Sequence, residues 1–259
     1  MPDADLDLLI SAAKAAGDVS SRFSGATARR WEKPDGAGPV TEADLAVNAV
    51  LHAHLTSARP NYGWLSEESE DDAQRLGKEA VFVVDPIDGT RSFANGDKTW
   101  AHALAVVKQG VTTAAAIFLP MRDLLYTASV GAGAWCNGAS ITASERQALD
   151  GASVLAASPA LDSRNWDGPA PNIRRAYRPS LAYRMAVVAD GAFDAMITLR
   201  ETWEWDVAAG DLILREAGAI CSDRSGAPLR FNNPRPTVNG VLAGGAALHG
   251  AMVSGLAKT

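Results

Sequence analysis

The spacing of hydrophobic positions changes several times along this chain, and each spacing predicts a different element. Apolar residues recur at helical intervals in residues 6–23 and 41–55, which predicts two helices. Residues 62–65 then resemble a short, half-buried strand. The unbroken apolar run Val81–Val84 leaves no wet face, so it predicts a strand buried on both sides.

After this buried strand the pattern becomes a meander of strand-like segments separated by short turns that contain glycine or proline. The segments are residues 100–107, 112–119, 124–130 and 133–136. Short turns between consecutive strands are typical of hairpins. We therefore predict an antiparallel sheet beside the two helices.

From about residue 150 onward, strand and helix signals alternate. Strands are predicted at residues 154–157, 192–199, 219–221 and 240–243, and helices at residues 180–189, around Asp206 and from Ala246. This alternation favours a mixed sheet packed by helices. The chain is thus predicted to be an α+β protein with an N-terminal domain at residues 1–145 and a C-terminal domain at residues 146–259.

Composition narrows the class of protein. The 259 residues are 47% hydrophobic, which is enough to fill a core, and the net charge of −6 argues against nucleic acid as a partner. No segment approaches the about 20 apolar residues of a membrane span, and residues 1–23 lack the pattern of a signal peptide. Cys136 and Cys221 are predicted to be free thiols in a reducing, cytoplasmic compartment.

The segment that follows the buried strand, Asp85-Pro86-Ile87-Asp88-Gly89-Thr90, carries the clearest chemical signal. Asp85 precedes a proline and is pushed toward an extended conformation, while Gly89 suits a close approach of the backbone. Two carboxylates this close repel each other unless a cation lies between them. Mg²⁺ takes oxygen ligands of this kind. A surface Asx-type turn, without a metal, is the alternative that this segment alone leaves open.

Acidic residues elsewhere in the chain support the metal hypothesis. Glu67 follows the half-buried strand at residues 62–65, although an acidic solvated loop explains residues 70–72 equally well. Asp206 lies at the N-cap or in the first turn of a helix that ends near Gly218, where its ordinary role is to satisfy free N–H groups. Trp203 and Trp205, which precede Asp206, are expected to shield this carboxylate from water, and a shielded carboxylate usually has a charged partner.

Four motifs, in this order along the chain, resemble the inositol monophosphatase superfamily. They are Pro39-Val40-Thr41-Glu42-Ala43-Asp44, Ser66-Glu67-Glu68-Ser69, Asp85-Pro86-Ile87-Asp88-Gly89-Thr90-Arg91-Ser92-Phe93 and Trp205-Asp206-Val207-Ala208-Ala209-Gly210. The resemblance extends from about residue 5 to residue 252. Ser66 departs from the glycine that is usual in the family. The fold that this family implies is a layered α-β-α-β-α sandwich of the sugar-phosphatase type, and its members are commonly homodimers.

The resemblance also implies a Mg²⁺-dependent phosphomonoesterase that acts on a small soluble phosphate ester. The first Mg²⁺ would be held by Glu67, Asp85 and the carbonyl of Ile87, and the second by Asp85, Asp88 and Asp206. A third, weaker ion beside Glu67 stays open. The substrate would contact Asp88, Gly89, Thr90 and Asp206, with the backbone of residues 89 and 90 against the phosphate. Catalysis would use Glu67 and a water positioned by Thr90 and Asp44; Asp44 also forms an N-capping box with Thr41.

The identity of the substrate is less determined. Leu199 stands where inositol-specific members have a glutamate, while Thr202-Trp203-Glu204-Trp205-Asp206 is similar to the 3′(2′),5′-bisphosphate nucleotidases, which act on 3′-phosphoadenosine 5′-phosphate. A histidinol-phosphate phosphatase and a fructose-1,6-bisphosphatase are further alternatives. A nucleotidase predicts arginines near the site and an aromatic wall for adenine. The candidates are Arg174, Arg175, Arg178, Arg184 and Arg200 for a second phosphate, and Trp203 or Tyr183 for adenine.

Two further hypotheses belong to other classes of protein. One is a non-catalytic scaffold on the same fold, and the other is a Ca²⁺-binding structural module. A Ca²⁺ loop would group its ligands within about a dozen residues, whereas these acids are spread along the chain. His52 and His54 are two positions apart, so they do not share a helix face and are not predicted ligands. The glycine-rich stretch Pro34–Pro39 is predicted to be a loop, either a lid or a plain connector.

Overall fold

The computed structural model describes residues 4–23, 27–33 and 38–257 of the chain. The described residues form six α-helices, three of which precede the middle of the chain. The helices are α1 (Ala4–Ser20), α2 (Glu42–Ala58), α3 (Thr90–Ala94), α4 (Leu181–Ala189), α5 (Glu204–Glu216) and α6 (Ala246–Gly255). Helix α2 begins with a capping box in which Thr41 and Asp44 bond each other's backbone N–H groups.

A large sheet of seven strands fills the first half of the chain. In spatial order the strands are β3 (Gly63–Ser66), β4 (Ala80–Asp88), β5 (Ala101–Lys108), β6 (Val111–Leu119), β7 (Leu124–Ser129), β8 (Ala134–Cys136) and β9 (Ala139–Ile141). Neighbouring strands are antiparallel except for the β3–β4 pair, which is parallel. All nine residues of β4 are buried, because this strand has neighbours on both edges and helices over both faces.

A second sheet, of five strands, is formed by the second half of the chain. Its spatial order is β11 (Arg174–Ala176), β10 (Ser153–Ala156), β12 (Ala195–Trp203), β14 (Thr237–Gly244) and β13 (Ile220–Ser222). Strand β10 runs parallel to both neighbours, while β14 runs antiparallel to both of its own, so the sheet is mixed. A small antiparallel hairpin, β1 (Arg30–Glu32) with β2 (Pro39–Thr41), stands apart from both sheets.

Three hydrophobic clusters join these elements into layers. Helices α1 and α2 pack on one face of the large sheet, and α4 and α5 pack between its other face and the second sheet. Helix α6 packs on the outer face of the second sheet. The order of layers is therefore helix, sheet, helix, sheet, helix, which confirms the α+β sandwich expected from the family resemblance.

The predicted helices and strands are present, with ends that differ by a few residues. The sequence analysis missed four short strands, β1, β2, β9 and β11, each of three residues and therefore too short to show a period. Residues 34–37 of the glycine-rich stretch lie outside the described residues. The division into domains at residue 145 stays a prediction. Among the residues that the structure describes, no helix is long and apolar enough to cross a membrane.

Candidate metal centre

A bulge in β4 brings the first two acids of the site to the same face of the sheet. Side chains alternate between faces along a strand, so residues three positions apart would normally point to opposite sides. Asp85 pairs with Ala103 and Asp88 pairs with Ala101, which leaves Pro86 and Ile87 together opposite a single residue of β5. This extra residue reverses the alternation, and both carboxylates face helices α4 and α5.

Proline is well suited to this position. Pro86 has no N–H group to donate, and prolines within sheets are confined to edges and bulges. Strand β4 is an inner strand, so the bulge is what makes the proline tolerable there. The side chain of Ile87 is fully buried on the opposite face, in the cluster with α1 and α2, and its carbonyl oxygen lies 3.1 Å from the hydroxyl oxygen of Thr90.

Asp206 completes a cluster of three carboxylates. It lies in the first turn of α5, as predicted, and one oxygen each from Asp85, Asp88 and Asp206 lie within 4.8 Å of one another. Helix α5 and the bulged strand therefore meet at this point, although the residues are more than a hundred positions apart in the sequence.

Asp88 is held by the N-terminus of α4. Its Oδ2 atom accepts a hydrogen bond from the hydroxyl of Ser180, the N-cap residue, and another from the backbone N–H of Ala182, both at 2.6 Å. Burial raises the pKa of Asp88, and these hydrogen bonds oppose the shift because they stabilise the charged form. The bonded oxygen is thereby fixed, which orients the rest of the carboxylate toward the cluster.

Asp85 keeps one buried carboxylate oxygen without a hydrogen bond. Its side chain is buried, and among the described residues its Oδ1 atom is the one buried side-chain oxygen or nitrogen without a hydrogen bond. Burial, and then the charges of Glu67 and Asp88, raise the pKa of Asp85 well above its usual value. A buried polar atom without a partner is costly in a folded protein, so this arrangement calls for a cation.

The surroundings of Asp206 combine negative and positive charges. Burial, and then the charges of Asp88 and Glu67, raise the pKa of Asp206 well above its usual value. The guanidinium groups of Arg200 and Arg184 act in the opposite direction. Both arginines therefore lie close enough to this end of the cluster to act on it electrostatically.

Glu67 lies beside the cluster but is bonded to a lysine. Its backbone N–H donates to the carbonyl of Val84 at 3.2 Å, which extends the parallel pairing by one residue and sets Glu67 next to Asp85. The Nζ atom of Lys33 lies 2.8 Å from Glu67 and 2.7 Å from Glu68. Burial and the charge of Glu67 raise the pKa of Glu68 to about 7. Lys33 thus supplies a positive charge to an acidic pair.

Asp44 and Thr90 form a hydrogen-bonded pair next to the acids. Asp44 Oδ2 accepts from the backbone N–H of Thr41 at 2.8 Å, while Oδ1 accepts from the hydroxyl of Thr90 at 3.1 Å. Burial raises the pKa of Asp44 to about 6. Gly89, which precedes Thr90, has a φ of 95°, a left-handed conformation that glycine adopts without strain.

The arginines and aromatic residues singled out by the sequence divide into two groups. Arg174 and Arg175 bond backbone carbonyls of β10 and the turn before it, and Arg178 lies over the ring of Phe193. Tyr183 is buried under the guanidinium of Arg122, which excludes it as a wall for a base. Arg184 and Arg200 also bond backbone carbonyls, those of Arg178 and Glu201, but their charges act on Asp206. Trp203 is 41% exposed and its ring stacks on that of Trp205 at 4.8 Å.

Two residues with a clear place in the site were not found from the sequence. Lys33 directly follows β1, and no local pattern ties a lysine there to acids more than thirty positions away. His102 contacts the bulge from β5, and a lone histidine within an apolar strand carries no sequence signal. His52 and His54 contact Trp64 and Ser11 instead. Cys136 and Cys221 are free thiols.

The donor set fits a hard divalent cation. Every group in the cluster offers oxygen, no cysteine or histidine belongs to it, and the unpartnered atom of Asp85 lies within it. Mg²⁺ and ions like it take carboxylate and carbonyl oxygens and leave room for phosphate oxygens. The layered fold and this acidic centre are those that the resemblance to the sugar-phosphatase type of fold implied.

The chain belongs to the inositol monophosphatase family, whose sequence profile matches residues 3–256. It is 36% identical over 197 residues to an inositol-1-monophosphatase of Rhizobium meliloti, which covers 72% of this chain and 73% of that protein. It is 32% identical over 242 residues to Nus factor SuhB of Escherichia coli K12, covering 85% of each chain. The crystal structure of extragenic suppressor protein suhB from Bartonella henselae has the same fold, with a TM-score of 0.80, 27% identity and coverage of 97% and 98%.

Proposed function

We propose that this protein is a Mg²⁺-dependent phosphomonoesterase that hydrolyses a small soluble phosphate ester. One observation carries the proposal: three carboxylates converge within 4.8 Å, and one of them, Asp85, keeps a buried oxygen without a hydrogen bond. A cluster that served only to stabilise the fold would have each oxygen paired, because an unpaired buried oxygen costs about 1–3 kcal/mol.

The residues divide into two sets of cation ligands. Glu67, Asp85 and the carbonyl of Ile87 would hold one Mg²⁺, and Asp85, Asp88 and Asp206 would hold a second. When bound, the ions lower the pKa of a coordinated water and stabilise charge on the attacking and leaving oxygens. A third ion beside Glu67 would have to compete with Lys33, whose ammonium group contacts that carboxylate.

Thr90 and Asp44 would position the attacking water. The Thr90 hydroxyl donates its proton to Asp44, so its oxygen lone pairs remain free to accept a hydrogen bond from water. Asp44 is itself fixed by the capping box of α2, which limits the directions that the threonine can take. The backbone N–H groups of Gly89 and Thr90 would bind the phosphate.

A substrate panel tests the proposal. Purified protein is assayed for phosphate release from inositol-1-phosphate, 3′-phosphoadenosine 5′-phosphate, histidinol phosphate and fructose-1,6-bisphosphate, with Mg²⁺ and with EDTA. We expect release from at least one ester, dependent on Mg²⁺ and abolished by EDTA. Release that is unchanged by EDTA would contradict the metal mechanism. No release from any ester would favour a non-catalytic role, for which the similarity to Nus factor SuhB is the supporting observation.

A bisphosphate nucleotidase is the second candidate for the same site. Arg184 and Arg200 add positive charge beside Asp206, and the exposed, stacked ring of Trp203 lies just before the helix that carries this aspartate. A second phosphate and an adenine base are groups that such residues bind. A preference for 3′-phosphoadenosine 5′-phosphate over adenosine 3′-monophosphate, lost in Arg184→Gln, would support this candidate. The homodimer and the cytoplasmic location stay predictions.

A further inference from the structure

His102 is a fully buried histidine that the proposed chemistry leaves without a role. It lies in β5 between Ala101 and Ala103, the partners of the two bulge-flanking aspartates, so it stands directly opposite the bulge. Its ring faces the cluster formed with α1 and α2, with the rings of Trp100 and Phe118 around it. This is the face of the sheet opposite the carboxylates.

Both ring nitrogens of His102 are bonded. Nδ1 bonds the carbonyl oxygen of Pro86, and Nε2 lies 3.1 Å from the hydroxyl of Ser20, the last residue of α1. A carbonyl can only accept, so Nδ1 carries the proton. Burial lowers the pKa of His102 to about 4, so the ring is neutral near neutral pH and Nε2 accepts from Ser20. The tautomer is thus fixed by its two partners.

The hydrogen bond from His102 satisfies the Pro86 carbonyl, which the register of β4 and β5 leaves unpaired. Pro86 and Ile87 lie outside the ladder between β4 and β5, so their carbonyls are not paired by the ordinary register. The hydroxyl of Thr90 lies 3.1 Å from the carbonyl oxygen of Ile87, and His102 donates to the carbonyl of Pro86. The peptide between Pro86 and Ile87 links the two aspartates. Its orientation sets how Asp85 and Asp88 point relative to each other.

We infer that His102 is a positioning residue for the cation site. It fixes the Pro86–Ile87 peptide from the face of the sheet that packs against α1 and α2. It also connects this peptide to the end of α1 through Ser20. The inference rests on the proposed function, because it gives the bulge the task of presenting carboxylates to Mg²⁺. Removal of a group that hydrogen-bonds to and orients a metal ligand typically weakens metal binding about 10- to 100-fold.

A pair of substitutions separates this role from simple packing. His102→Asn keeps a donor near the position of Nδ1, whereas His102→Leu and His102→Val remove it. We expect the two apolar variants to bind Mg²⁺ about tenfold or more weakly in isothermal titration, and His102→Asn to bind within about threefold of the unchanged protein. Ser20→Ala, which removes only the outer bond, is expected to lie between these limits.

Thermal unfolding in EDTA identifies the variants that are folded. If leucine does not fit the space of the histidine ring and His102→Leu is unfolded, His102→Val is the apolar variant to compare. Equal Mg²⁺ affinity in all variants would overturn the inference, and so would an equal loss in His102→Asn and the apolar variants. A role confined to packing would lower the unfolding temperature without separating the asparagine variant from the apolar ones in affinity. If the unchanged protein bound no Mg²⁺, the proposed function itself would fail, which is a different result.

Discussion

The hydroxyl oxygen of Thr90 lies 3.1 Å from a carboxylate oxygen of Asp44, and this pair joins the first residue of α3 to the first turn of α2. The two residues are 46 positions apart in the sequence. Their contact lets a threonine direct its lone pairs toward the carboxylate cluster.

Removal of this hydroxyl is therefore expected to affect turnover more than folding. Thr90→Ala should lower kcat by about 100-fold or more, which is the usual effect of losing a group that positions a reacting water. Thr90→Ser keeps the hydroxyl and should retain most of the activity. The measurement is the steady-state rate of phosphate release at saturating Mg²⁺. Equal rates for the alanine and serine variants would argue against this role for the hydroxyl.

Lys33 provides a prediction about metal affinity. Its ammonium group contacts both Glu67 and Glu68 and is largely buried, with 15% of the side chain exposed, so its charge is poorly screened. Lys33→Met should make Mg²⁺ binding about fivefold tighter, because about 1 kcal/mol of competing attraction is removed. The Mg²⁺ concentration that gives half-maximal phosphate release measures this.

Arg29→Met is the matched control for Lys33→Met. Arg29 contacts Glu42 at 3.3 Å, but 84% of its side chain is exposed, so its charge is screened by water. We expect no change in the Mg²⁺ requirement of this variant. A similar change in both variants would show that general surface charge, and not the Lys33–Glu67 contact, controls metal binding.

The burial of His102 predicts a pH dependence of stability. Its pKa is lowered to about 4 in the folded protein, from an ordinary value of 6.5, so the unfolded chain takes up this proton first as the pH falls. The stabilising contribution is therefore complete above the unfolded pKa and is lost as the pH falls toward the folded one. Between about pH 7 and about pH 5 the loss is about 2 kcal/mol.

Urea unfolding of the unchanged protein and of His102→Leu at these two pH values measures this contribution. The difference in unfolding free energy between the two proteins should be smaller at the lower pH, because only the histidine-containing chain gains a proton on unfolding. A difference that is the same at both pH values would mean that His102 takes up its proton as readily in the folded protein as in the unfolded chain.

The sequence predicted the elements of the fold better than it predicted their local geometry. Val81–Val84 has the unbroken hydrophobicity of a buried strand, and the capping pair Thr41 and Asp44 has a recognised spacing, so both were found. The bulge at Pro86 could not be found, because it depends on which residues of β5 lie opposite. Register between strands is a tertiary property, and an Asp-Pro turn is compatible with several registers.

In the candidate site, too, the sequence predicted the residues but not all of their contacts. The acids of the cluster were identified by motif, and the structure brings Asp85, Asp88 and Asp206 together. The contact of Glu67 with Lys33 brings in a charge from a residue 34 positions away, which no local pattern reports. Sequence reasoning also could not rank the arginines. Arg184 and Arg200 differ from Arg174 only in where the folded chain directs them.

The most direct test of the whole account is phosphate release by Asp85→Asn, assayed over a range of Mg²⁺ concentrations beside the unchanged protein. The substitution removes the charge of the residue assigned to both cations and preserves its shape. Glu70→Gln, on an exposed residue, controls for the loss of one negative charge. We predict that Asp85→Asn has no Mg²⁺-dependent release while its unfolding temperature in EDTA is unchanged or higher, since a buried charge has been removed. Release at the rate of the unchanged protein would contradict the account.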